Sequence, residues 1–296
     1  SSKTLWVRPS NNLGANWVEA LELSEPGSVA ATPALLGIDP ANDNPLLLAA
    51  WHDTNSGKVV LVRWEGADWN NTSPEAAQSI GQNSGTSTHP SLAASDGGLL
   101  CAWQNDSSGG NLIYLAQSAD QGKTWGEPYA LTFGLASDTP IAGATPNLVT
   151  AENYALIGYT LDNAIYAAHS TDSAQSFTQI QGNYGAAPSV AINPKNQTLI
   201  SWEYFSQSAP SDSDIFMGTS FSLDGFDSFF GPFALPGTSS SAFREKPSTS
   251  IQATILVLPS WKRYDGLHSH PSLEARCLLL HPYKNPTCIP ARHTYQ

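Results

Sequence analysis

The sequence predicts an all-β fold, a β-propeller of four-stranded antiparallel blades. Three observations predict it: a Pro-centred segment that recurs along the chain, short strand-like runs that follow each copy, and a turn motif that recurs in register. The 296 residues are 41% hydrophobic but only 13% charged, with 23 Gly, 21 Pro and 9 Trp. Such a composition suits many short strands joined by turns and argues against coiled coils, long amphipathic helices and disorder.

The Pro-centred segment reads ATPALLGI at Pro33, THPSLAAS at Pro90, ATPNLVTA at Pro146, AAPSVAIN at Pro188 and EKPSTSIQ at Pro247. These prolines lie 57, 56, 42 and 59 positions apart, so a constant core carries loops of variable length. A second apolar run follows each: LLLAAWHD, LLCAWQND, YALIGYTL, TLISWEYF and LVLPSWKR, ending on Trp51, Trp103, Tyr159, Trp202 and Trp261 and then turning polar. A third run, KVVLVRW, NLIYLAQS, NAIYAAHS or DIFMGTSF, has β-type composition, and a fourth such as WGEPYAL or FGPFAL closes the unit. Four short strands per unit, punctuated by Gly, Asn, Asp and Ser turns, are the sequence form of a propeller blade.

The loop between third and fourth runs carries the most specific signal. SADQGKTW, residues 118–125, is a complete Ser-x-Asp-x-Gly-x-Thr-Trp box, and weaker copies stand in register as SNNLGANW (10–17), STDSAQSF (170–177) and SLDGFDSF (222–229). The residue types specify a hairpin loop: Asp120 accepts hydrogen bonds from loop N–H groups, Gly122 supplies a positive φ, Thr124 completes the turn and Trp125 anchors it between strands.

On these boxes the chain resembles the Asp-box (bacterial neuraminidase repeat) β-propellers, which include sialidases and propeller lectins, over residues 5–265. The resemblance implies that the boxes lie on the blade rim away from the ligand face, so that Asp120 and its counterparts are structural. The simplest closure lets the N-terminal strands, TLWVRPSNNLGANWVEALEL, complete the C-terminal blade and gives five blades in one domain of residues 1–296. Six is the alternative, if 271–281 forms its own outer strand and Leu5–Leu23 belongs to an incomplete extra blade. Residues 266–296 depart from the repeat and read as an atypical closing segment or tail.

The resemblance also implies what a sialidase would need: three Arg clamping a carboxylate, a Tyr/Glu pair as nucleophile and base, and an Asp acid, with the first Arg in an Arg-x-x-Pro context. Arg244 in FREKPS has that context but opens the last unit, and Arg8, Arg63, Arg263, Arg276 and Arg292 stand on no early inner strand. A three-Arg clamp is therefore hard to assemble. Asp53, Asp162 and Glu203 are candidate carboxylates and Tyr159 and Tyr204 candidate nucleophiles; for an enzyme, Glu203, Tyr204, Arg244 and Asp53 are the set expected to act.

A lectin needs less: an aromatic face for the sugar ring and a few polar groups for its hydroxyls, repeated at several sites. The pairs Trp51–Asp53, Trp103–Asn105, Trp202–Glu203 and Trp261–Arg263, with Arg244, have that form, against the plain alternative that the Trp rings pack between blades. The expected function is multivalent glycan binding, with a sialidase-like glycoside hydrolase as the alternative and a protein-interaction platform as a third reading.

Thirteen Lys and Arg against 25 Asp and Glu give a formal charge of −12, which repels a phosphate backbone, so nucleic acid is not an expected partner. The same field disfavours anionic glycans, unless a local basic pocket near Arg244 or Lys262–Arg263 overrides it. No apolar run approaches a membrane span, and SSKTLWVRPS lacks a signal-peptide layout, so the chain reads as soluble, mature or leaderless. Asn-x-Ser/Thr tripeptides at Asn70, Asn71, Asn105 and Asn196 lean toward a secreted, extracellular setting and surface loops. Cys277 and Cys288 are near enough to close a disulfide loop or remain free thiols, Cys101 lies in an apolar strand, and the tail's Cys/His spacing matches no standard zinc site. Neither a metal nor a cofactor is expected. No feature of the sequence bears on oligomeric state.

Overall fold

The computed structural model describes residues 4–8, 10, 15–17, 19–38, 45–66, 73–81, 84–107, 109–132, 143–192, 197–204, 216–222 and 230–234, with backbone alone at 180–184, 203–204, 216–222 and 230–234. The chain divides into two compact units, Ser1–Ser250 and Ile251–Gln296. All described residues belong to the first. Arg244, Trp261, Arg263, Cys277, Cys288 and the fifth Pro-centred segment lie outside them.

The described residues are all-β. A two-stranded antiparallel hairpin, β1 (Trp6–Val7) with β2 (Leu21–Glu22), comes first and pairs Trp6 with Glu22 and Val7 with Leu21. Four four-stranded sheets follow, which we call blades 1 to 4. Blade 1 is β3 (Ala30–Ile38), β4 (Leu46–Asp53), β5 (Lys58–Glu65) and β6 (Gln78–Ser79). Blade 2 is β7 (Ser87–Ser95), β8 (Gly98–Asn105), β9 (Leu112–Ser118) and β10 (Tyr129–Ala130). Blade 3 is β11 (Ala144–Ala151), β12 (Tyr154–Leu161), β13 (Ala164–Ser170) and β14 (Thr178–Tyr184), and blade 4 is β15 (Ala186–Ile192), β16 (Thr198–Tyr204), β17 (Phe216–Ser222) and β18 (Phe230–Ala234).

Within each blade every neighbouring pair is antiparallel and in chain order, as short Gly/Asn/Asp turns require. The Pro-centred runs form the first strands, and β7 packs against β3 and β11, and β11 against β15. The expected fourth strand in WGEPYAL is reduced to the two residues of β10, although Gly126 N already bonds Gln117 O of β9 (2.8 Å).

In blades 2 and 3 the second and third strands are largely apolar runs because both of their faces are covered, one by each neighbouring blade. Leu48, Leu61, Leu92, Leu99, Cys101 and Trp103 fill the seam between blades 1 and 2. Leu100, Ile113, Leu131, Leu148, Ile157, Tyr159 and Phe177 fill that between blades 2 and 3. Leu156, Ile165, Val190, Ile200 and Trp202 join blades 3 and 4. The hairpin lays Leu5, Val7, Leu21 and Leu23 on Ala49, Trp51 and Val62 of blade 1. Cys101 is fully buried, as its apolar strand implied, and burial pushes its thiol far above the ordinary range.

Candidate functional site

The blades have two chemically different ends. At one stand the boxes. In blade 2, Ser118 Oγ donates to Asp120 Oδ1 (2.8 Å), Gly122 N to Ser118 Oγ (2.8 Å), and Thr124 N and Oγ1 to the two oxygens of Asp120 (2.8 and 2.5 Å). Gly122 has φ +85°. Blade 3 repeats the network from a degenerate sequence: Ser170 Oγ and Ser176 N bond Asp172 Oδ1 (2.7 and 2.9 Å), Ser176 Oγ bonds Asp172 Oδ2 (2.5 Å), and Ala174 takes the glycine's place at φ +67°. Asn153, in the turn between first and second strands, bonds Thr171 O (2.6 Å) and accepts Ser173 N (2.9 Å), so box and turn share this end. With their carboxylates engaged in the loop, Asp120 and Asp172 are loop fasteners.

At the other end each first strand carries a bulge. Thr32, His89, Thr145 and Ala187, each immediately before the repeat proline, have φ of 47°, 53°, 50° and 50°. The ladder slips by one residue at each place, between Ala31 and Ala34, Thr88 and Ser91, Ala144 and Asn147, and Ala186 and Ser189. A left-handed conformation costs an L-residue about 1–2 kcal/mol, and proline disfavours the helical alternative for the residue before it. Four such residues in register are a sustained expenditure of strain at one end of the fold.

Across the ladder from the bulges stand His52 (opposite Ala31), Gln104 (opposite Thr88), Thr160 (opposite Ala144) and Glu203 (opposite Ala186). All four are polar and each follows the aromatic of the second strand. Bulging turns backbone N–H groups toward the preceding blade, whose side chains accept them: His89 N bonds Thr32 Oγ1 (3.3 Å) and Thr145 N bonds Gln104 Oε1 (2.7 Å). Thr145 Oγ1 and Thr160 Oγ1 lie 3.5 Å apart. Deeper in the same seams, Leu148 N bonds Ser91 Oγ and Val190 N bonds Asn147 Oδ1, both at 2.9 Å.

His52 and His89 meet at this end of the seam between blades 1 and 2. His52 is 9% exposed, and its Nε2 is buried without a hydrogen-bond partner. Burial lowers its pKa, with Asp53 acting in the opposite sense. His89 Nδ1 lies 3.0 Å from Thr88 Oγ1, and its pKa is lowered by burial first and by His52 second. Both rings are therefore held neutral. Among the described residues no group of three metal-ligating side chains occurs.

The expected sugar-stacking rings require correction. Trp51, Trp103 and Trp202 are 1%, 0% and 1% exposed, Trp51 against the β1–β2 hairpin and the other two in seams between blades, so none offers a face to a ligand. Trp103 is moreover stacked on Tyr114, at 6.2 Å between centroids. Asn105 is fully buried, donating to Ser84 O (3.1 Å) and Ser87 Oγ (3.0 Å), which also removes it as a glycosylation acceptor in the folded chain. Asp53 organises the turn after β4, accepting from Ser28 Oγ, Val29 N, Asn55 N and both donors of Ser56. Tyr159 is not poised as a nucleophile: it is buried, stacked on Tyr166 and hydrogen-bonded by Gln179 Nε2 (2.7 Å), and burial pushes its phenol up despite that bond.

The backbones of Glu203 and Tyr204 stand at the bulged end of blade 4, whereas Arg63 is buried and points to the box end, donating to Gln121 O (2.8 Å). Beside the candidates selected from the sequence, the bulged end also holds Thr32, His52, His89, Gln104 and Thr145. Their signal was present as the residue before each repeat proline and the polar residue after each second-strand aromatic. No helix among the described residues is long and apolar enough to cross a membrane.

No protein-family description matches the chain, and no curated protein matches it. Solved structures similar to it include Zg3597, a family 117 glycoside hydrolase of the marine bacterium Zobellia galactanivorans, at 12% identity and a TM-score of 0.46, covering 79% of this chain and 75% of that one. Trypanosoma rangeli sialidase is 12% identical with a TM-score of 0.48, over 78% of this chain but only 41% of the sialidase. Penicillium chrysogenum α-L-arabinanase, complexed with arabinobiose, is 16% identical with a TM-score of 0.46 over 66% and 63% of the two chains. These are distant likenesses of architecture, and the functional reading rests on the residues of this chain.

Proposed function

We propose that this chain is a carbohydrate-binding protein whose ligand site is the bulged end of the blades. The observation that carries the reading is the register of four strained bulges, each beside a polar side chain. Bulges of this kind concentrate where a strand must re-aim a side chain toward a site. Thr32, Thr145, Thr160, Gln104 and the partly buried His89 are mixed donors and acceptors without net charge, the chemistry that matches sugar hydroxyls.

The glycoside-hydrolase alternative has one foothold, Glu203 in the position of His52, Gln104 and Thr160. Hydrolysis ordinarily uses a pair of carboxylates flanking the bond. At this end Asp53 is committed to its turn and Asp106 accepts Thr86 N (2.6 Å), which leaves Asp162, in the turn after β12, as the carboxylate a hydrolase would pair with Glu203. Binding without turnover is the reading adopted because the other three positions beside the bulges, His52, Gln104 and Thr160, carry no carboxylate.

The same proposal includes a fifth blade. In its support, Pro33 and Leu35 are exposed, Leu35 to 60%, where Pro90, Leu92, Pro146, Leu148, Pro188 and Val190 are all covered by a preceding blade. A secreted setting is also proposed, now resting on the acceptor tripeptides other than Asn105.

A glycan array probed with the full chain, followed by calorimetry, tests the function. Binding of neutral glycans at more than one equivalent is expected, and absence of binding at millimolar sugar overturns it. Turnover of fluorogenic glycosides that is lost on Glu203→Gln would establish the hydrolase instead.

A further inference from the structure

The seam between blades 1 and 2 differs from its neighbours at one place. In the seam between blades 2 and 3 the side chain after the aromatic, Gln104, directly accepts the bulge N–H of Thr145. In the seam between blades 1 and 2 the equivalent side chain is His52, and the bulge N–H of His89 goes to Thr32 Oγ1 instead. His52 Nε2 is left buried and unpartnered beside a second imidazole. The matching pairs in the next two seams, Gln104 with Thr145 and Thr160 with Ala187, contain nothing that titrates.

We propose that this seam is a proton-operated latch: neutral His52 and His89 keep its bulged end shut, and protonation of the pair opens that end while the box end stays closed. Two imidazolium charges side by side in a desolvated seam repel and regain hydration only by separating. Burial already lowers both pKa values, and a charge on His52 further disfavours one on His89. The surrounding ionisable groups offer little compensation. β3 and β7 contribute none besides His89, β4 contributes Asp53, whose oxygens serve its turn, and Lys58 of β5 pairs opposite Asp53 with a further positive charge. Asp106, in the turn after β8, is bonded to Thr86 N. The far end is fastened by Arg63 Nε on Gln121 O (2.8 Å) and Gln78 Nε2 on Lys123 O (3.1 Å), which confines opening to the bulged end. Resting on the proposed function, the latch makes glycan binding acid-labile, since the ligand end is the end that opens.

Amide and imidazole NMR of the full chain between pH 8 and 5 tests it. His52 and His89 are expected to titrate with midpoints below 6.5, and the amides of Thr32 and His89 to shift with them while those of Thr145 and Ala187 stay still. His52→Gln installs the residue that blade 2 carries at the same place and is expected to abolish the amide response; His89→Asn, which tolerates a left-handed backbone, is a second variant. Midpoints at the ordinary value without coupled amide shifts, or an unchanged response in His52→Gln, overturn the latch. Affinity for a neutral oligosaccharide should fall about tenfold or more from pH 7.5 to 5 in the native chain and by less than about threefold in His52→Gln. A chain that binds no glycan yet shows the seam titration refutes the binding reading and upholds the latch.

Discussion

The guanidinium of Arg63 in blade 1 ends on the backbone carbonyl of Gln121 in the box loop of blade 2, with Nε 2.8 Å from the oxygen. Its other nitrogens ion-pair with Glu65 and Glu75 of its own blade. Gln78 Nε2 bonds the carbonyl of Lys123 in the same loop (3.1 Å), and in the next seam Tyr129 OH bonds the carbonyl of Ala174 (3.1 Å). Each of these boxes is therefore tied to the outer strands of the blade before it, which makes it an inter-blade fastener as well as a turn.

Arg63→Met should destabilise the fold by about 2–3 kcal/mol, because it removes a charged donor from the Gln121 carbonyl and the buried guanidinium that Glu65 and Glu75 share. Urea denaturation should show a lower midpoint with an unchanged m-value.

Gly122→Ala should cost about 2 kcal/mol: its φ of +85° disfavours any L-residue, and the new Cβ would stand 2.7 Å from Leu48 Cδ2. Ala174→Gly in the next box should be near neutral, since relief of its left-handed strain is offset by loss of a buried methyl. Thermal melts of the two variants give the comparison.

The box carboxylates should confer acid resistance. Bonds from Thr124 hold Asp120 down at about 2, against 3.8 for a free side chain. At Asp172 burial pushes the carboxyl up, but bonds from Ser176 and Ser170 outweigh it and its pKa is also lowered. A depressed carboxylate pKa contributes stability above the unfolded value, and that contribution is lost as pH falls through the folded one. Asp120→Asn should therefore be less stable than the native chain above pH 4, with the gap closing toward pH 2 in pH-dependent melts.

Packing and binding roles should separate cleanly. Trp103→Ala should lose about 3–5 kcal/mol of stability, as expected for a fully buried indole, while the folded protein retains its glycan affinity. His89→Asn should stay folded and bind neutral glycans about tenfold more weakly or worse at pH 7.5. Calorimetry on both variants distinguishes the two outcomes.

Much of the architecture was legible because its signals are local. The first three runs at Pro33, Pro90, Pro146 and Pro188 became the first three strands of blades 1 to 4 in order, and the degenerate STDSAQSF folds as a box because Ser170, Asp172 and Ser176 keep the donors and acceptor that Ser118, Asp120 and Thr124 supply. The site was not legible in the same way. Runs such as LLLAAWHD are apolar on both faces, so nothing in their pattern says which residue is sealed in a seam and which reaches a ligand.

By itself the sequence determined the order and kind of strands and the chemistry of the box turns, which depend on residues a few positions apart. Only the tertiary structure decided that Trp51 is sealed against the N-terminal hairpin and Trp103 and Trp202 between blades, that the residues before the prolines form a strained register, and that His52 meets His89 and Arg63 meets Gln121. Those relationships join different blades, and contacts between sheets are set by how they stack rather than by any spacing along the chain.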